Sequence, residues 1–100
     1  MQFRESLAPN HGMFFPLEQA RTPEIWMKDV PIALDIVFLS EGEIVAIVEA
    51  APPCSLPGRQ CATYRAEVPV DAVLEMTGGA ASRLGLELGQ AIVVQELQLK

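Results

Sequence analysis

The chain has 100 residues, half of them hydrophobic and a fifth charged, a composition that excludes global disorder and fits one domain around one core. Thirteen acidic residues against seven basic ones give a formal charge of −6. The basic residues are scattered singly, so nucleic acid and anionic lipid surfaces are excluded as expected partners.

Residues 30–39 and 44–53 form the longest apolar stretches, each interrupted by an acid (Asp35, Glu49). Both fall short of the ~18 residues that suggest a membrane span, so no span is expected. The opening MQFRESLAPNHG has no apolar segment behind a basic start, and no secretory signal is read there.

In chain order, MFFPL (13–17) predicts a strand that Pro16 restricts to a sheet edge or end. Residues 34–39, rich in β-branched and aromatic side chains, predict a second strand. Its alternation puts Leu34, Ile36 and Phe38 on one face and Asp35, Val37 and Leu39 on the other. SEGE (40–43) supplies a turn and 43–51 a third strand, an antiparallel hairpin centred near Gly42. Both hairpin strands are apolar on both faces, which predicts that both are central and covered on both sides. Residues 52–61, with three prolines and a Pro-Gly pair, form a loop. Residues 64–76 look extended with a break at Pro69, 78–85 offer a short helix closed by Gly85, and 90–99 predict a final strand. The fold class expected is mainly β, a compact single-domain sandwich or barrel-like fold with one short helix near residues 78–85.

The chemistry concentrates around EIWMKDVPIALDIVFLS (24–40), where Lys28 and Asp35 interrupt an apolar run beside the only tryptophan, Trp26. As a structural pair, Lys28 and Asp35 would fix the loop between them; as a functional one, Asp35 would be a carboxylate held in a cleft. Trp26 suits core packing or a cleft wall, and an aromatic beside a charge also suits ligand stacking; the same holds for Tyr64. Cys54 and Cys61 enclose six residues, and a disulfide there would contribute roughly 2.5 kcal/mol by restricting the unfolded chain. With one histidine and a C-x6-C spacing, no metal site is predicted, and no cofactor is implied. No serine has a nucleophile-elbow setting. The remaining catalytic candidates are Asp35 and Glu75, which would have to face one cleft across strands. Glycines 78, 79, 85 and 89 match no phosphate-loop pattern and read as turn chemistry.

FRESLAPNHGMFF, WMKDVPIALDIVFL, the PPC followed six residues later by a second cysteine and then Tyr64, and VLEMTGGAASRLGLELGQAI together resemble the uncharacterised bacterial and archaeal family DUF192. Its pattern runs roughly G-L-M-x-R, G-M-L-F, W-M-K-N-T-x-I-P-L-D and a closing L-E-L-x-x-G-x-x-x-x-x-G-I-x-x-G-D. The match spans nearly the whole chain in order. It implies a compact, mainly β domain whose polar and aromatic positions fall here on Trp26, Lys28, Asp35 and Glu75, with Tyr64 and the cysteines matching a subset of members. Asp29 stands where Asn is usual, and Gln90 replaces an acid. Members typically carry an upstream strand, often behind a signal peptide or lipoprotein leader. The expectation is therefore one domain over residues 1–100 that lacks an N-terminal strand and leaves an open sheet edge.

The family has no established activity, and three readings follow. The first is a cell-envelope binding or accessory module for a small molecule, glycan or peptide, with Trp26, Lys28, Asp35 and Tyr64 as the binding residues. The second is a carboxylate-dependent, hydrolase-like enzyme using Asp35 and Glu75. The third is an interaction domain, such as a homodimer, formed through the open edge. An exported location is expected from the resemblance and the cysteine pair.

Overall fold

A computed structural model describes residues 12–57 and 60–92. They form β1 (Gly12–Arg21), β2 (Ile25–Trp26), β3 (Leu34–Ser40), β4 (Glu43–Ala51), β5 (Thr63–Tyr64), β6 (Val70–Thr77) and the single-turn α1 (Ala80–Arg83). Four strands make an antiparallel sheet in the order β1-β6-β3-β4, and β2 pairs antiparallel with β5 in a separate two-stranded sheet. The domain is mainly β and single, with an open sheet rather than a closed barrel. The predicted final strand over 90–99 lies mostly outside the described residues; Ala91 forms one antiparallel bridge to Glu43.

Alternation on β3 builds two cores from one strand. Leu34, Ile36 and Phe38 meet Met27, Val30, Ala66 and Val70 on the face toward β2 and β5, with Tyr64 and Ile25 packed against them. Val37 and Leu39 meet Leu74, Met76, Ala80 and Ala81 on the face toward α1. β3 is central, as its doubly apolar pattern predicts. Among the described residues β4 is instead the last strand in the sheet order, with residues 45–48 half-buried, and the segment around Ala91 bridges it at Glu43. The second central strand is β6, buried over most of its length on both faces. Among the described residues β1, carrying Pro16, is the strand at the opposite end of the sheet order, and its pairing with β6 shifts register between Pro16 and Arg21.

Local chemistry sets the connections. Glu41 and Gly42 both have positive φ (51° and 81°), the backbone of a two-residue type I′ hairpin turn. Helix α1 ends in a Schellman motif: Gly85 at φ 70° donates to the Ser82 carbonyl and Leu86 to the Ala81 carbonyl. Gln90 accepts the Glu87 N–H on its side-chain oxygen, so replacing an acid there with Gln retains the acceptor this turn uses.

Candidate functional site

Between Leu34 and Ile36 the partner strand retreats from Ala51 to Val48, so β4 carries one extra residue opposite Asp35. Within this bulge Ala50 has φ 52°, and its N–H turns into the sheet and donates to Asp35 Oδ1 at 2.7 Å. Gly79 N–H donates to the same oxygen at 3.0 Å and Ala81 N–H to Oδ2 at 2.7 Å. Asp35 is fully buried. Helix α1 has no capping side chain of its own at its N-terminus; β3 supplies one from 46 residues away. Asp35 thus ties together the bulge, the central strand and the helix.

Lys28 goes elsewhere. Met27 to Val30 form a turn closed by Val30 N–H to the Met27 carbonyl, with Asp29 at φ 61°. Asn and Asp tolerate that conformation best among non-glycine residues, which explains why either suits this position. The turn binds the disulfide loop: Asp29 N–H donates to the Cys54 carbonyl and Cys54 N–H to the Met27 carbonyl, a parallel bridge between Lys28 and Cys54. Lys28 Nζ donates to the Leu56 carbonyl at 2.9 Å, inside the loop that the Cys54–Cys61 disulfide closes across a Cα–Cα distance of 5.9 Å. The predicted pairing of Lys28 with Asp35 is replaced by two separate anchors, one to the disulfide loop and one to α1.

Trp26 lies beside that loop. Along β2 the alternation sends Pro23, Ile25 and Met27 inward and Glu24 and Trp26 outward. Trp26 pairs with Thr63 and Ile25 with Tyr64, so Tyr64 backs the small sheet from the core side while Thr63 shares the outer side with the indole. Glu24, Trp26, Cys61, Ala62 and Thr63 line a cleft of about 660 Å³. Trp26 remains 42% exposed. The small side chain of Ala62 leaves the space, and the disulfide at Cys61 stiffens its wall. Glu24 and Thr63 were not among the residues predicted from sequence; the Glu-Ile-Trp alternation was the available signal, since it places Glu24 two residues along the same face.

Glu75 is buried opposite Ile36 and Met13, on the β2/β5 face of the main sheet. Burial pushes its carboxyl above the usual glutamate range. Asp35 pairs with Met76 on the α1 face. The register therefore puts Asp35 and Glu75 on opposite faces of one sheet and does not bring them to a common cleft.

Residues 1–94 match the uncharacterized ACR family DUF192. The chain belongs to the DUF192 family. Two solved structures are similar to it. A candidate transcription regulator from Sinorhizobium meliloti shares 35% identity with a TM-score of 0.81, over 90% of this chain and 67% of that one. A protein of unknown function from Novosphingobium aromaticivorans shares 31% identity with a TM-score of 0.82, over 93% of this chain and 64% of that one. The chain thus spans about two thirds of the length of each of these proteins. No curated protein matches it.

Within the DUF192 pattern the W-M-K…L-D element divides cleanly. Met27 is core, Lys28 holds the disulfide loop, Asp35 holds α1, and Trp26 faces outward into the larger cleft, while Asp29, Val30 and Pro31 line a smaller hollow of about 270 Å³ beside Cys54.

Proposed function

We propose that this DUF192 protein is a small binding module of the cell envelope, with its ligand seated in the cleft against Trp26. The observation that carries this reading is the half-exposed indole set in a concave wall, in a motif whose other residues each have a structural task. Lys28 and the disulfide hold the wall, Tyr64 backs it from the core, and Asp35 acts at a distance by fixing the main sheet beneath it. The Cys54–Cys61 bridge supports export, because such bridges persist in oxidising compartments. The regulatory role named for the Sinorhizobium relative is not carried over, because a net charge of −6 opposes contact with phosphates.

The test is an NMR titration of the full chain with a library of metabolites, divalent metals and cell-wall fragments. Saturable shifts of the Trp26 indole N–H together with the Ala62 and Thr63 amides are expected. An indole unmoved by the whole library rejects the module.

A second reading, association through the sheet edge, draws on a different feature. Residues 45–48 of β4, the last strand of the sheet among the described residues, line a groove of about 480 Å³ together with the segment Arg65, Ala66, Glu67 and Val68 and with Leu88. Val68 and Leu88 are 47% and 68% exposed there. Sedimentation of the native chain against Leu88→Asp tests it: a concentration-dependent dimer in the native chain that the variant lacks supports it, and a monomer in both removes it.

A further inference from the structure

We infer that the Trp26 cleft takes a cationic group, an alkylammonium or quaternary ammonium ion, held over the indole face and opposite the Glu24 carboxylate. This rests on the reading of the cleft as a ligand site and assigns its chemistry.

Three observations converge. Glu24 and Trp26 lie two residues apart, both exposed and both lining the cleft, and an extended backbone spaces such Cα atoms by about 6.6 Å. The indole is the strongest cation-binding aromatic side chain, because its quadrupole presents negative charge at the face. The described lining residues supply one carboxylate, one hydroxyl (Thr63) and no cationic side chain. An anionic ligand would meet Glu24 without compensation from these residues, and the chain's charge of −6 adds an unfavourable field. A cation gains from the carboxylate, the ring and the field together. Cys61, held by the disulfide, forms part of the wall of the same cleft, and Trp26 is held by its pairing with Thr63.

Such a group could be presented by a free amine or by a peptide lysine, and the experiment separates them. The full-length oxidised chain is titrated with choline, with its neutral isostere 3,3-dimethylbutan-1-ol, with Nα-acetyl-lysine amide and with methyl glucoside, reading the Trp26 indole N–H and the Thr63 amide. Choline or the lysine amide is expected to bind saturably, about tenfold or more tighter than the neutral isostere, which loses both the ring and carboxylate attractions. The tighter of the two names the source. Glu24→Gln, an exposed and near-isosteric change, is expected to weaken the cation by about threefold to fivefold and leave the isostere unaffected.

If the neutral isostere or the glucoside binds as well as choline, or Glu24→Gln leaves choline binding unchanged, the cationic assignment is overturned while the cleft remains a ligand site. If none of the four probes moves the indole, the cationic assignment falls. The wider library then decides separately whether the cleft binds anything.

Discussion

Replacing Asp35 by Asn should weaken the fold rather than switch off a reaction, and the size of the loss can be worked from its three hydrogen bonds. Oδ1 receives Ala50 and Gly79, and Oδ2 receives Ala81. An asparagine can keep its carbonyl toward the first two, but its NH2 group then faces the Ala81 N–H. That leaves one buried donor without an acceptor, at a cost of about 1–3 kcal/mol. The two remaining bonds lose their charge assistance, roughly half their strength. The expected total is about 3–4 kcal/mol, a large share of the ~5–15 kcal/mol that holds a domain together. With a urea slope near 1.3 kcal/mol/M, the midpoint should fall by roughly 2–3 M. Asp35→Ala removes all three acceptors and should leave little folded protein. The assay is equilibrium urea unfolding with the disulfide intact, alongside amide exchange at Gly79, Ala81 and Ala50. A midpoint within ~0.5 M of the native chain, with those amides still protected, refutes the reasoning.

Burial raises the Glu75 carboxyl, so the native state binds that proton more tightly than the unfolded chain does. Its contribution is therefore fully present below the unfolded pKa and is lost as pH rises through the folded one. Glu75→Gln should gain in melting temperature relative to the native chain as pH is raised from about 4 to 8, and parallel curves exclude the effect. Gly79 has φ 92° with open space around its Cα, so Gly79→Ala should lose about 1 kcal/mol or more from backbone strain alone, read by urea midpoint. Reducing the Cys54–Cys61 bridge should cost about 2.5 kcal/mol by the same measurement. Trp26→Ala should cost about 1–3 kcal/mol from the half-buried indole and leave the chain folded, while abolishing ligand shifts at Thr63.

Side-chain alternation made much of this fold legible. The faces of β3, the turn at Glu41 and Gly42, the place of the Pro16 strand at one end of the described sheet and the Gly85 helix stop all follow from local chemistry, and each is present. Strand position was less legible. β4 is as apolar as β3, yet among the described residues it is the last strand of the sheet and only half-buried over 45–48, because composition reports what a strand could bury and not where it falls in the sheet order. The site was harder still. Trp26, Lys28 and Asp35 are near in sequence, but a turn at Asp29 and the sheet itself separate them in space. Asp35 is satisfied by backbone N–H groups from residues 50, 79 and 81, and no pattern of side chains announces such donors.

That separation changes how the motif bears on function. If Trp26, Lys28 and Asp35 converged on one pocket, their joint presence would point to shared chemistry. Here Met27 fills the core, Lys28 binds a loop carbonyl and Asp35 binds three backbone N–H groups, so a folding requirement accounts for each. Trp26 is different. Burying it further would gain the hydrophobic free energy that a large aromatic supplies, yet the alternation of β2 holds it outward beside Glu24 and over a rigid, disulfide-closed wall. A phenylalanine or valine at position 26 would satisfy β2 equally well. The indole is therefore the motif residue for which packing offers no account, and the cleft it lines is the place where a ligand would provide one.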